Sequence, residues 1–240
     1  QVIGREIGHN NWKIITKTPK FNKQTIQKAE LDLLHETFNK SLLNLGVNQV
    51  YGLIVHASQD LLMPGGKKLY SELEKLKSLG VVTKIGASVY TGAQIDELLN
   101  LFNIDIIQLP LNVFDQRLVE MGYIDKLKKR NIEIHARSIF LQGLALMPIH
   151  EIPSYFSPVL SKIKLLEVMA EKYSMSKLDL SLNFIKSIDG IDSAVVGITS
   201  SEQLKEIIES YSIERNISNL EYSKLAINNS KFVNPSKWHL

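Results

Sequence analysis

Six short runs rich in β-branched residues, most of them near-continuously apolar, recur along the chain between longer stretches of helical periodicity. They are residues 12–16, 50–55, 81–87, 104–109, 132–136 and 193–196. A strand wetted on one side alternates apolar and polar side chains. A run that is apolar throughout is buried on both faces, as in a parallel sheet covered by helices. The intervening segments 23–45, 70–79, 93–102, 118–129, 157–173, 178–187 and 202–210 carry apolar residues at helical spacing, such as Leu73, Leu76 and Leu79. Breakers fall between the elements: Pro19, Gly46, Pro64-Gly65-Gly66, Gly80, Pro110 and Gly190. Strand-to-strand intervals of roughly 25 to 40 residues suit right-handed βαβ units, so the fold class is parallel α/β. The interval 142–194 holds two helices and no strand signal, and departs from the simple repeat.

An open nucleotide-binding sheet carries a glycine-rich turn after an early strand, and neither G-x-G-x-x-G nor G-x-x-x-x-G-K-[ST] occurs here. Polar residues instead end several strands: Lys17, His56, Ser88, Gln108, Arg137 and the loop 197–201. That dispersal suits a (β/α)8 TIM barrel, whose site is assembled from many βα junctions at one face, although six strands are legible rather than eight. No linker or composition shift divides residues 1–240, so a single domain is expected. The chain begins with Gln1 rather than Met, and residues ahead of it are therefore expected.

Composition narrows the function classes. With 44% hydrophobic and 22% charged residues the chain can bury a sizeable core. A net charge of +3 with both signs interspersed argues against a nucleic-acid binder. The cluster Lys126, Lys128, Lys129 and Arg130 reads as a solvated helix end. The absence of cysteine excludes disulfides, thiolate nucleophiles, iron–sulfur clusters and Cys-based zinc sites, and fits a reducing compartment. No apolar run approaches a membrane span and no signal peptide is visible, so no membrane partner and a cytoplasmic location are expected.

Each polar strand end has two readings. Lys17, in Ile14-Ile15-Thr16-Lys17-Thr18, is either a snorkelling surface lysine or a site cation. His56, in Leu53-Ile54-Val55-His56-Ala57-Ser58, is a satisfied structural histidine or a proton-transfer group. Their equivalent places on consecutive strands strengthen the second reading of both. Gln108, ending Ile104-Asp105-Ile106-Ile107-Gln108, supplies a donor and an acceptor suited to a carboxamide, and Ser88 reads the same way. Residues 195–204, Val-Val-Gly-Ile-Thr-Ser-Ser-Glu-Gln-Leu, place a glycine and small hydroxyls before a helix start. That pattern is a plain cap or an anion site. His9, His35, His135, His150 and His239 lack a comparable partner and form no H-E-x-x-H pair, so no metal site is expected.

Taken in order, these stretches resemble the aldo/keto reductase family over nearly the whole chain. The specific pieces are Ile54-Val55-His56, then Leu73-Glu74-Lys75-Leu76-Lys77 followed by Gly80-Val81-Val82 and Lys84-Ile85-Gly86-Ala87-Ser88. Ile106-Ile107-Gln108-Leu109-Pro110-Leu111-Asn112 and residues 197–204 follow. Residues 1–8 resemble the family's segment just after its catalytic tyrosine motif. The resemblance implies a (β/α)8 barrel, here lacking its first two strands, that reduces aldehydes and ketones with NADPH and without metal. It matches Lys17 and His56 to two members of an Asp, Tyr, Lys, His tetrad. It matches Ser88 and Gln108 to residues that hold the nicotinamide carboxamide. It matches Gly197, Ile198, Thr199, Ser200 and Ser201, with Gln203 and Glu206, to the region that binds the adenosine end and its 2′-phosphate. No residue here matches the aspartate or tyrosine, which the family carries upstream.

Val89 stands where an Asn is common, Ile207 where an Asn often lies near the adenine, and Arg137 where an aromatic residue stacks on nicotinamide. A planar guanidinium can stack in that role. Val113-Phe114-Asp115-Gln116-Arg117 and Arg137-Ser138-Ile139-Phe140-Leu141-Gln142-Gly143 are similar to bacterial reductases found among polysaccharide-biosynthesis proteins, which implies a sugar-derived carbonyl. The implied function is an NADPH-dependent oxidoreductase acting on a small-molecule carbonyl. The alternatives are a non-catalytic NADPH-binding relative in a regulatory or interaction role, and an unrelated barrel lyase whose Lys17 forms a Schiff base.

Overall fold

The computed structural model describes residues 2–6 and 12–238. The chain divides into two compact units. The first holds residues up to Gln108 together with Asn131–Glu133, the second Leu109–Arg130 and the residues from Ile134 onward.

In the first unit, β1 (Ile15–Lys17), β2 (Val50–Val55), β3 (Val82–Ser88) and the start of β4 (Ile106–Pro110) lie side by side in that order. All are parallel, with Lys17 opposite Ile54, Ile54 opposite Gly86, and Gly86 opposite Ile106. Successive strand residues point to opposite faces, so Ile15, Ile54 and Ile106 share one face with Gly52 and Gly86. There the glycines make room for the isoleucines: a Cβ on Gly86 would lie 2.8 Å from the Ile106 carbonyl oxygen and 3.0 Å from Ile54 Cγ1. Leu53, Val55, Ile85, Ala87 and Ile107 are buried on the other face.

Helices α1 (Lys28–Leu45), α2 (Gly66–Ser78) and α3 (Gly92–Leu101) connect the strands. In α2, Leu69, Leu73 and Leu76 repeat every three or four residues and are buried, each stabilising by about 1.5–3 kcal/mol. α1 starts at Lys28, later than the predicted 23, because Gln27 and Glu30 form a reciprocal cap there. α3 is capped by Thr91, whose hydroxyl accepts from Gln94 N while Gln94 Oε1 accepts from Thr91 N. Of the stretch 1–8, Val2–Glu6 forms a short helix and the remainder lies outside the described residues, as do His9 and His239.

In the second unit, the predicted helix 118–129 is broken in two, Arg117–Glu120 and α4 (Tyr123–Lys128). Gly122 turns the chain through φ +73, a left-handed conformation that glycine adopts without steric cost. Lys126 and Lys128 stand in the last turn of α4 and Lys129 at its C-cap, where cations complement the helix dipole. Lys128 pairs with Asp192 at 3.0 Å. β5 (Glu133–Arg137) enters this unit from Ile134 and runs parallel to β6 (Ser193–Ala194), with His135 opposite Ser193. Between them come two 3-10 turns, Ile149–Glu151 and Ser154–Val159, then α5 (Leu160–Lys172) and α6 (Lys177–Ser187). As expected for 142–194, two helices and no further strand occupy this interval. α7 (Ser201–Ser212) follows β6. The C-terminal segment packs Phe232 and Trp238 against Tyr155 and Phe156, with ring centroids 4.9–5.7 Å apart. No helix among the described residues is long and apolar enough to cross a membrane.

Candidate active site

In the first unit, the strand ends bring together four of the residues singled out in the sequence. Lys17 ends β1, His56 follows β2, Ser88 ends β3 and Gln108 lies in β4 directly opposite Ser88. Strand alternation puts all four on the face that carries Ile54 and Gly86. Backbone bonds hold the strand ends in step: Thr18 N donates to Ile54 O at 3.0 Å, Ser58 N to Ser88 O at 3.1 Å, and Val89 N to Gln108 O at 3.0 Å.

Lys17 Nζ donates to Gln108 Oε1 at 2.6 Å. A charged donor makes this bond shorter and stronger than a neutral one, and it fixes the amide orientation, with Oε1 turned to Lys17 and Nε2 left as the donor side. Ser88 and Gln108 are buried, whereas Lys17 and His56 are exposed. The histidine is anchored through its backbone: His56 N donates to Thr18 Oγ1 at 3.1 Å, and that hydroxyl donates to Pro19 O. One face thus presents an ammonium, an imidazole, a hydroxyl and an oriented amide.

At the opposite ends of these strands lies a structural polar cluster. Glu133 accepts from Tyr51 Oη at 2.6 Å and from Lys84 Nζ at 2.5 Å, and its carboxylate pushes the Lys84 ammonium pKa up.

In the second unit, Arg137 ends β5 and reaches Ser138 Oγ at 3.3 Å, while Leu111 N donates to the Arg137 carbonyl at 3.0 Å. Ser200 caps α7 by accepting from Gln203 N, and Gln203 Oε1 accepts from both Thr199 N and Thr199 Oγ1 at 2.9 Å. The hydroxyls at 199–201 are therefore engaged in shaping the helix start. Ser201 Oγ donates to Glu202 at 2.9 Å, and hydrogen bonds at this helix start hold the Glu202 carboxyl below its usual range.

A cavity of about 400 Å³ opens beside α7 and takes in Gly197, Gln203, Glu206 and Ile207. Ile198, Thr199, Ser200 and Ser201 do not line it. Lys177 and Leu178, at the start of α6, do line it, together with Phe140 and Leu146. Sequence reasoning passed over Lys177. Its local signal is only the cap Ser176–Asp179, which marks a helix start and not a cavity. Lys177 Nζ donates to Met147 O at 2.7 Å. A second cavity shares Phe140, Leu146 and Gly197 and takes in Ser138 and Gln142, both in left-handed backbone conformations. Among the described residues no group of three or more His, Asp or Glu is placed to hold a metal ion.

The sequence profile of the Aldo/keto reductase family matches residues 3–227. The chain belongs to this family. Its fold is similar to that of the aldo-keto reductase AKR11C1 from Bacillus halodurans. The holo form superposes with TM-score 0.73 at 19% identity, covering 93% of this chain and 74% of that one. The apo form gives 0.72 with the same identity and coverage. The thermostable aldo-keto reductase Tm1743, in complex with the inhibitor epalrestat, gives 0.68 at 16% identity, covering 93% and 75%. No curated protein sequence matches the chain. At these identities the superpositions speak for the fold alone. Family and fold together point to carbonyl reduction by an oxidoreductase, with a small-molecule carbonyl as substrate and a nicotinamide cofactor.

Proposed function

We propose that the chain takes part in NADPH-dependent reduction of an aldehyde or ketone, of which a sugar-derived carbonyl is the favoured class. The observation that carries this reading is the shared face of Lys17, His56, Ser88 and Gln108, with Lys17 bonded to Gln108 at 2.6 Å. The donor set fits a nicotinamide carboxamide: Gln108 Nε2 would donate to its oxygen and Ser88 Oγ would accept from its amide nitrogen. In the second unit, Arg137 carries a planar guanidinium, a group that can stack on an aromatic ring. Gly197, Ile198, Thr199, Ser200, Ser201, Gln203 and Glu206 take the adenosine end. Lys177 brings a cation to the cavity that Gln203 and Glu206 line, which suits a 2′-phosphate.

Bound NADPH supplies a hydride to the carbonyl carbon. The chain's own residues orient the substrate and answer the charge that develops on the oxygen. His56 holds the carbonyl oxygen by a hydrogen bond. In a protein that also carries the family's upstream tyrosine, Lys17 would place a positive charge beside that proton donor, lower its pKa and help it to protonate the growing alkoxide. The buried Gln108 amide and Ser88 hydroxyl would orient the nicotinamide, and orientation of the reacting groups is a large part of what a protein contributes.

The test is titration of the purified protein with NADPH, followed by an assay of NADPH consumption against a panel of aldehydes, ketones and keto-sugars. Binding is the expected result, with turnover where the protein carries the family's upstream tyrosine. Tight binding without turnover on any carbonyl favours the regulatory alternative, and absence of binding overturns the proposal.

A further inference from the structure

We propose that the second unit carries a binding site for a linear aliphatic polyamine, in a cavity by the break at Gly122 and the C-terminal end of α6. This cavity shares no lining residue with the two beside α7. The inference stands apart from the reading of Lys17 and His56.

The cavity measures about 340 Å³ and lies wholly within the second unit. Its charged lining is of one sign. Glu120 ends the short helix Arg117–Glu120, Asp125 stands in the first turn of α4, and Asp189 follows the C-cap of α6. No cation lines it, and none of the three carboxylates has an ion-pair partner among the described residues. A carboxylate just past a helix C-terminus meets the negative end of the helix dipole. Asp189 therefore stands where helix stabilisation does not account for it.

Gln116 points to a ligand independently of these charges. It lines the cavity and is only 5% exposed. Its Nε2 donates to Val113 O and to Tyr222 O, both at 2.7 Å, which uses both amide protons. No donor among the described residues meets Oε1, so a nearly buried acceptor is left to the cavity. An acceptor in that state is costly until something donates to it. The hydroxyls are spent in the same sense. Ser187 Oγ donates to Phe184 O at 2.7 Å and Ser223 Oγ to Leu220 O at 2.9 Å, so each offers the cavity lone pairs only. Asn219 is the one other polar side chain of the lining. A wall rich in acceptors and negative charge calls for a ligand with positive charge and several N–H donors. Val119, Ile124, Phe184 and Ile188 form the apolar part of the wall. The three carboxylates do not converge on one point as metal ligands would. Separated charges beside an apolar wall suit methylenes bearing separated ammonium groups better than a compact cation.

Calorimetric titration of the full chain with spermidine tests this. Binding at one site per chain is expected. A variant carrying Glu120→Gln, Asp125→Asn and Asp189→Asn should bind about tenfold more weakly or worse, as three lost ion pairs of a few-fold each require. A control of equal charge carries Glu36→Gln, Glu97→Gln and Glu171→Gln, all exposed and outside the cavity. It should keep its affinity within about twofold, because distant exposed charges are screened. Both variants alter exposed side chains that have no ion pair to lose, so both should fold. The side-chain amide signals of Gln116 in the NMR spectrum should shift along the same titration curve, because its oxygen accepts an ammonium. Equal loss of affinity in the two variants marks general charge attraction and overturns the proposal. Binding that leaves the Gln116 amide unmoved overturns it as well, as does displacement of spermidine by an equal concentration of Mg²⁺. Absence of binding at millimolar spermidine is equally fatal. Turnover enters none of these readouts, so failure here leaves the proposed carbonyl reduction untouched.

Discussion

The bond from Lys17 to Gln108 joins a residue read as catalytic to one read as cofactor-binding, so substitution of either is read on both turnover and NADPH affinity, in different proportions. Lys17→Met removes the charge that stabilises the developing alkoxide. In a protein that carries the family's upstream tyrosine, it should lower kcat by about a hundredfold or more, far more than it lowers NADPH affinity. Steady-state kinetics beside a binding titration check this, and unchanged turnover refutes the role. Gln108→Ala should instead weaken NADPH binding by about tenfold, the cost of one buried hydrogen bond, as read by nucleotide fluorescence. Asp60, buried in the short helix Gln59–Leu62, adds a prediction on pH. Burial raises its pKa above the ordinary carboxylate value, so the folded state holds its proton more tightly than the unfolded state. Its stabilising contribution is complete below the unfolded pKa and is lost as pH rises through the folded pKa. Wild type should therefore lose more stability than Asp60→Asn as pH rises from the unfolded pKa through the folded one. Parallel slopes in urea titrations across that range would count against the raised pKa.

Among the elements, the strands were legible because each is an apolar β-branched run, and each of the six predicted runs overlaps a strand. Helix ends were less legible. The break between Arg117–Glu120 and α4 depends on one glycine at φ +73 inside an otherwise helical pattern, which periodicity overrides when read alone. Gly122→Ala should destabilise by about 1 kcal/mol, since a Cβ is strained in that conformation. Space is not the cause, because nothing lies within 4 Å of the position a Cβ would take. Thermal unfolding of the variant measures the effect, and an unchanged or raised Tm would mean that the turn relaxes into continuous helix. At α7, the sequence 197–204 read equally as a cap or an anion site. The geometry shows the cap made by Ser200, while Gly197, Gln203 and Glu206 also line a cavity.

For the whole molecule, a ligand that binds the folded state raises its stability by mass action, about 2.7 kcal/mol at one hundred times its Kd. NADPH should therefore raise the Tm, and NADH at the same concentration should raise it less. Lys177→Met should narrow the difference by weakening NADPH alone, as removal of a cation facing a phosphate requires. A Tm difference that survives this substitution would exclude Lys177 from phosphate recognition.

Lys17, His56, Ser88 and Gln108 were legible as candidate site residues because each is a polar residue in or just after an apolar run. That contrast is written in the sequence itself. The parallel α/β class was legible for the same reason, since burial on both faces leaves its mark on every strand. Which of these side chains touch was not legible: the contact of Lys17 with Gln108 spans 91 positions and exists only because parallel register brings their strands together. Lys177 was invisible for a related reason. It stands at an ordinary helix start, and nothing local distinguishes it. Cavity walls and buried hydrogen bonds are made between segments far apart in sequence. Strand and helix type were therefore determined by the order of residues, and the partners of each polar group by tertiary packing.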